Sequence, residues 1–291
     1  KAQEHRGPDN MGTFHVDSRV ALGHNRLSII DLSIEANQPF FSKDKRFILI
    51  FNGEIYNYLE LREELKDSYK FKTSSDTEVL LASYITWGKD CLAKLNGMFS
   101  FAIWDTSTQS LFAARDRFGV KPFYFVNNNK DFYFASEIKT LFAGGIKRET
   151  NEQVWASYFA YGSYGMPDET FWKEVQQLPG GHYLEYKDGE LKLTKWYYFE
   201  REIKKHQKKM PFDEVKKTYK KLLEESIKLR FRADVPVGFN ISGGLDSSTL
   251  LAFVNRFNQN DKIKAYTFYT NDERYDELPW VEQMISLTNY P

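Results

Sequence analysis

Phe239 to Ser248 reads Phe-Asn-Ile-Ser-Gly-Gly-Leu-Asp-Ser-Ser, and no other stretch restricts the fold as much. An apolar run from Val235 to Ile241 leads into Ser-Gly-Gly. Asp-Ser-Ser and a helix-like apolar run from Thr249 to Val254 follow. That order is a strand, a glycine turn and a helix start. Such a turn aims backbone N–H groups and small hydroxyls at an anion, and the helix N-terminus adds partial positive charge. No Gly-Lys-Ser/Thr follows, so this is not a Walker A loop, and the Gly-x-Gly-x-x-Gly of a dinucleotide site is missing. A tight turn with Asp246 as a helix cap is the plainer alternative. A second constraint lies at the other end, where the sequence opens at Lys1 with neither Met nor Cys.

The 291 residues suffice for two domains of ordinary size. Lys+Arg and Asp+Glu are equal at 40 each, so no net field favours nucleic acid over small solutes. No apolar run approaches the roughly 18–20 residues of a transmembrane helix, and no secretory signal is present. The single cysteine, Cys91, excludes an internal disulfide and a Cys-rich zinc site. A cytoplasmic protein is the expectation. Abundant aromatics favour large packed sheets over a helical bundle.

Arg46 to Asn52 predicts a buried strand ending at Asn52-Gly53. Tyr58 to Lys66 has helical spacing with Leu61 and Leu65 on one face, and Asp76-Thr77-Glu78 opens another helix. Two strand pairs follow, 99–105 with 111–115 and 122–126 with 132–135. The turn residues Asp-Thr-Ser-Thr and Asn-Asn-Asn-Lys-Asp join them. A last hairpin, 183–186 with 190–196, surrounds Lys187-Asp188-Gly189. Charged residues then crowd Glu200 to Met210, which reads as a solvated linker rather than a nucleic-acid patch. Phe212 to Phe231 predicts one amphipathic helix with Val215, Tyr219, Leu222, Leu223, Ile227 and Phe231 on or near one face. Lys264 to Thr270 predicts another strand. Helix–strand–helix–strand order begins a parallel α/β sheet. Two strands cannot bury both faces of such a sheet, so the second domain reads as incomplete at Pro291.

The Ser-Gly-Gly-Leu-Asp-Ser-Ser string resembles the pyrophosphate loop of the ATP pyrophosphatases. Further strings precede it in order: Arg6-Gly7-Pro8-Asp9, His24 to Asp31 (His-Asn-Arg-Leu-Ser-Ile-Ile-Asp), Asn52-Gly53-Glu54-Ile55-Tyr56-Asn57, Ser75-Asp76-Thr77-Glu78, Leu95 to Phe99, Ala114 to Gly119 and Ala135 to Lys139. Together they resemble glutamine-hydrolysing asparagine synthetases over about Arg6 to Glu277. The resemblance implies an α/β protein. An N-terminal-nucleophile αββα sandwich is followed by the start of a parallel α/β ATP-pyrophosphatase domain of the adenine-nucleotide α-hydrolase type. The expected domains are 1–198 (glutaminase, lacking its extreme N-terminus), 199–211 (linker) and 212–291 (the beginning of the synthetase). Glutamine hydrolysis then supplies ammonia through an internal tunnel. ATP with Mg2+ activates aspartate as β-aspartyl-AMP, and ammonia displaces AMP to give asparagine.

Site roles follow from the same resemblance. Arg26 pairs with the glutamine α-carboxylate, and a guanidinium does so bidentately. Asn52 and Gly53 form the oxyanion hole. Glu54 and Asp76 hold the polar end, Asp76 on the α-ammonium. Arg6 and Asp9 are supports. The plainer readings are a salt bridge for Arg26, an Asn-Gly turn for Asn52-Gly53 and a helix cap for Asp76. Ser242, Gly243, Gly244, Asp246, Ser247 and Ser248 form the pyrophosphate loop, Asp246 helping to hold Mg2+. Ile241 and Thr270 stand where the base and ribose are contacted, although the family commonly has an apolar residue at Thr270. Ser74 stands where the family commonly has Gly, tightening or shifting the loop that carries Asp76. The family nucleophile is a processed N-terminal Cys whose own amine is the base. That residue, and a strand and helix before Arg6, are expected to lie outside the given residues. Cys91, in a helical run, reads as a buried structural thiol. Glutamine, aspartate and ATP are the expected partners, with no nucleic acid, no membrane and a homodimer left open. Two alternatives stand beside this reading: amidation of another carboxylate in a surface polysaccharide or peptide, and a non-catalytic remnant that binds glutamine or ATP.

Overall fold

The computed structural model describes residues 1–17, 19–128, 131–257, 263–270, 272 and 274–288. It divides into two units, Lys1–His206 and Gln207–Pro291. The first unit opens with a short 3-10 turn and strands β1 (Asn10–Val16), β2 (Val20–Arg26), β3 (Phe40–Phe41) and β4 (Phe47–Ile55). Helices α1 (Tyr58–Leu65), α2 (Asp76–Trp87) and α3 (Cys91–Lys94) follow. Next come β5 (Gly97–Asp105), β6 (Ser110–Arg115), β7 (Tyr124–Asn127) and β8 (Phe132–Ala135). Helices α4 (Ile138–Ala143) and α5 (Glu152–Tyr161), strands β9 (Gln176–Gln177), β10 (His182–Lys187) and β11 (Glu190–Lys195), and helix α6 (Phe199–His206) complete it.

Period-two alternation explains the layering. Six strands pair antiparallel in the order β11-β10-β6-β5-β4-β3. Leu49, Phe51, Phe99, Phe101, Ile103, Phe112 and Ala114 point to one face and pack on α1, α2 and α3 through Leu61, Val79, Leu80 and Leu92. Their neighbours Ala102, Leu111, Ala113 and Leu184 point to the other face and meet Phe123, Phe125 and Leu178. Those partners belong to or flank a second sheet, β8-β7-β9. Val126 and Ala135 on its far side bury against Leu141 of α4. A strand buried on both faces cannot show one polar side, and both sheets are aromatic-rich for that reason. The result is an αββα sandwich. Asp188 (φ 51°) and Gly189 (φ 85°) turn the β10–β11 hairpin, as a two-residue turn with both residues left-handed requires.

The structure adjusts several expected boundaries. β4 runs on to Ile55, so Asn52 and Gly53 lie inside the strand rather than at its end, and an Asn-Gly turn is excluded. Gly53 has φ 156°, and a Cβ there would collide with the Met98 carbonyl oxygen of β5. Glycine lets the ladder continue at that close approach. The charged segment expected to be a linker contains α6 up to His206, leaving 207–211 without helix or strand. Glu202 pairs with Lys205 at 3.9 Å and with His206 at 3.6 Å, the i,i+3 and i,i+4 geometry that supports an exposed helix. Asn129 and Lys130 of the expected turn lie outside the described residues.

The second unit contains α7 (Phe212–Arg230), β12 (Gly238–Asn240), α8 (Leu245–Phe257), β13 (Lys264–Tyr266) and α9 (Leu278–Ser286). β12 and β13 pair parallel, Gly238 opposite Lys264. Both strands are shorter than their apolar runs, and Thr270 falls beyond β13 rather than at its end. Ile227, Ile241, Leu251, Val254, Ile263 and Val281 form the core. The C-terminal half of α7 reaches it through Leu223 and Ile227, and Phe231 just past the helix joins them. Val215, Tyr219 and Leu222 are exposed, so the apolar face expected along the whole helix is buried over half of it. Among the described residues no helix is long and apolar enough to cross a membrane.

Candidate functional site

The inner face of the six-stranded sheet is not filled by hydrophobic side chains throughout. Beside Ile50, β4 turns Asn52 and Glu54 inward, and the paired β5 presents Ser100 and Ala102. These line a cavity of about 470 Å3 between the two sheets. Arg26 at the end of β2, Asp76 at the start of α2, Phe134 of β8, and Ser136 and Lys121 from loops complete the wall. Arg26, Asn52, Gly53, Glu54 and Asp76, widely separated in the sequence, therefore share one cavity.

Asn52 donates Nδ2–H to Ser136 Oγ at 3.2 Å. An amide nitrogen carries two N–H groups, so one remains for a ligand. Asp76 is the first residue of α2 and does not cap it. Ser75 is the cap, its Oγ accepting from Glu78 N at 3.1 Å. The Asp76 carboxylate instead accepts the Ile55 N–H at 3.0 Å. It is 5% exposed, and burial pushes its pKa up to about 7, with the nearby Glu54 charge adding to the effect. Burial also raises Glu54, whose carboxylate accepts no hydrogen bond among the described residues; Lys121 opposes that shift.

Arg26 is 6% exposed. Its two terminal nitrogens donate to Ser33 O and Asn37 Oδ1, both at 2.8 Å, to Ile30 O at 3.3 Å and to Asp31 O. The fork thus organises the loop from Ile30 to Asn37 beside the cavity, a role that neither the carboxylate reading nor the salt-bridge reading described. Asp31 secures that loop to the α2 entry, accepting from Ser74 N at 2.7 Å and Ser74 Oγ at 3.0 Å. The hydroxyl at Ser74 supplies the second of these bonds. Asp9 accepts from Ser28 N at 2.7 Å, and Arg6 pairs with Glu137 at 3.2 Å. His24 donates from Nε2 to Phe51 O at 3.0 Å, and burial lowers its pKa to about 4, so the ring is neutral. His24 Nδ1, Asn25 Nδ2 and Thr140 Oγ1 are buried without a partner among the described residues, and all three residues line the cavity. Buried polar atoms of that kind require a polar ligand or solvent. The cavity can thus accept a small polar molecule bearing an amino group and a hydrogen-bonding carbonyl. Cys91 does not contribute: it is buried in the helical layer, and burial pushes its pKa up to about 12.

In the second unit the Ser-Gly-Gly turn joins β12 to α8. Gly243 is left-handed at φ 69°, and a Cβ there would meet Trp280 Cβ at 2.6 Å. Gly244 O accepts Ser248 N at 3.0 Å, which starts the helical ladder. Ser247 Oγ accepts Ser242 N at 3.2 Å and donates to Gly244 O at 3.2 Å. Asp246 lies in the first turn of α8 and makes no cap bond among the described residues. Ser242, Gly244 and Asp246 are exposed at this helix N-terminus, with Ser248 half-buried behind them. Ile241 is buried in the core, so its backbone is the part open to a ligand. The Thr270 hydroxyl donates to Asp272 O at 3.2 Å within its own loop.

Residues 1–198, the whole sandwich, match the family described as "Glutamine amidotransferase domain". The chain belongs to the glutamine amidotransferase domain family. Residues 218–289 match the description "Asparagine synthase". Asparagine synthetase [glutamine-hydrolyzing] 3 of Bacillus subtilis is 36% identical over 297 residues, 96% of this chain and 47% of the relative. Amidase chyE of Penicillium rubens is 36% identical over 257 residues, 86% of this chain and 37% of the relative. The solved structure of glutamine phosphoribosylpyrophosphate amidotransferase from B. subtilis is 20% identical, with a TM-score of 0.47 over 67% of this chain and 45% of that one. The chain spans about half the length of the asparagine synthetase relatives it matches.

Ser136 and Lys121 of this amidotransferase cavity carry no signal of their own in the sequence. Ser136 lies within Ala135 to Lys139 and Lys121 two residues past Gly119, but no local pattern says that they face Asn52 and Glu54. Ser74 lies outside the cavity lining, and its bond to Asp31, which joins segments 43 residues apart, is set by the fold.

Proposed function

We propose that the chain is the glutaminase domain and the beginning of the synthetase domain of an ATP-dependent, glutamine-hydrolysing asparagine synthetase. The convergence of Arg26, Asn52, Gly53, Glu54 and Asp76 on one polar cavity of an amidotransferase sandwich carries the reading. Glu54 and Asp76 receive the α-ammonium of glutamine. Arg26 shapes the loop at the α-carboxylate end and, on releasing a loop carbonyl, takes that carboxylate. The Asn52 amide and the Gly53 backbone stabilise the oxyanion that forms when the side-chain amide is attacked.

The turn from Ser242 to Ser248 suits a polyphosphate, because glycine geometry, hydroxyls and a helix N-terminus meet at an exposed edge. No cluster of three His, Cys, Asp or Glu occurs among the described residues. Mg2+ needs one or two protein carboxylates, and Asp246, exposed at the turn, is the residue that would hold it. Held there, Mg2+ would supply positive charge against the phosphate oxygens. Aspartate is then the acceptor. Amidation of a different carboxylate is the second reading, since a relative 36% identical carries a name other than asparagine synthetase.

Calorimetric titration with L-glutamine tests the first half of the proposal. Binding should strengthen from pH 6 to pH 8, because the ligand ammonium stays protonated while Asp76, raised to about 7, ionises. Binding that is absent, or flat with pH, would overturn it. Aspartate-dependent pyrophosphate release by the protein expressed from its whole reading frame separates the two acceptor readings.

A further inference from the structure

Lys121 is held where a binding residue would be held. Asp116 accepts the backbone N–H groups of Phe118 at 3.1 Å, Val120 at 2.9 Å and Lys121 at 3.0 Å, and also that of Phe99 at 3.1 Å. Arg115 Nε donates to Lys121 O at 2.6 Å. The turn between them needs Gly119 at φ 70°. The backbone of Lys121 is therefore fixed, and its half-buried side chain lines the same cavity as Glu54. Among the described residues the ammonium makes no ion pair within 4.0 Å. A long cation held by its backbone thus shares a cavity wall with Glu54, a carboxylate that accepts no hydrogen bond among the described residues and feels the Lys121 charge.

We propose that Lys121 is a positioning residue of the amino-acid site: its ammonium is the counter-charge that keeps Glu54 a carboxylate, ready for the substrate α-ammonium. This rests on the glutamine reading above. Without Lys121, two half-buried or buried carboxylates would face each other across the cavity, and one would take a proton. The charged and titratable groups around the pair are Asp76 from α2, Arg6 from the N-terminal turn, Asp116 from the Lys121 loop, Arg26 from the end of β2 and neutral His24. Burial lowers the Lys121 pKa and Arg6 adds to that, whereas Glu54 and Asp116 raise it. Arg6 is committed to Glu137 and Arg26 to its loop, so neither replaces Lys121 at Glu54.

The test is the pH profile of L-glutamine affinity, by calorimetry on this chain, for the parent, Lys121→Met, Lys121→Gln and Lys121→Arg, with melting curves to check folding. Removing the cation should move the midpoint of the profile up by about one pH unit, so binding at pH 6.5 weakens about tenfold and recovers toward pH 8.5. Lys121→Arg should keep the parent midpoint. In a Glu54→Gln background, Lys121→Met should shift the midpoint no further. An unchanged midpoint, an equal loss at every pH, or a full shift in the Glu54→Gln background would each overturn the proposal. A parent that binds no glutamine at any pH overturns the glutamine reading itself, and this inference with it.

Discussion

At the scale of single residues, Asp76 shows what a binding group costs. A carboxyl held neutral by burial favours the folded state below its unfolded pKa of 3.8, and that contribution fades as pH rises toward 7. Above pH 7 the fold carries a buried charge. Asp76→Asn keeps an oxygen for the Ile55 N–H and removes the charge. It should therefore raise stability at pH 8 by about 2–4 kcal/mol, with the gain vanishing near pH 4. Denaturant melts at the two pH values check this, and the same variant should lose glutamine binding. Cys91 makes the opposite case. Its thiol is buried and its pKa is pushed up to about 12, so iodoacetamide should leave native protein unmodified at pH 8 and label it once unfolded. Intact mass before and after urea decides. The strings around Arg26, Asn52 and Asp76 could be read in advance because each is local. Lys121 could not, because its meaning depends on Asp116 fixing a turn and on Glu54 arriving from another strand.

Among the elements, α2 bears most on the site. Its first eight residues are buried, so propensity alone did not decide its start. Thr73 Oγ1 lies 2.8 Å from Ser75 Oγ, and Glu78 accepts from Lys72 N and Thr73 N at 3.0 and 2.6 Å. The cap and the incoming chain thus form one network that aims Asp76 into the cavity. Ser75→Ala should cost about 1 kcal/mol or somewhat more, because a buried cap partner is lost. Urea unfolding measures that cost. Glutamine affinity should fall with it, since the helix start also sets the Asp76 carboxylate. β4 offers the complementary lesson. Asn-Gly ordinarily marks a turn, yet here the pair continues a strand because β5 lies against it and leaves no room for a Cβ at Gly53.

For the whole molecule, 207–211 is exposed and lies outside every helix and strand. Trypsin at low ratio should cut first at Lys208 or Lys209 and release a fragment starting at Lys209 or Met210. N-terminal sequencing of the first product checks this. A first cut inside β4 to β6 would argue against the sandwich as a stable unit.

The amino-acid sequence by itself determined the alternation that buries both faces of the central sheet, the helix starts, the Ser-Gly-Gly turn and the family. All of these depend on neighbours a few residues apart or on strings that stay together. The tertiary structure alone decided which side chains share the cavity, that the Arg26 fork is spent on its own loop, that β4 passes straight through Asn52-Gly53, and that half the apolar face of α7 stays exposed. Those outcomes depend on contacts between distant segments. Burial there sets the charge state of Asp76 and the ionic surroundings of Lys121, and no local pattern encodes either.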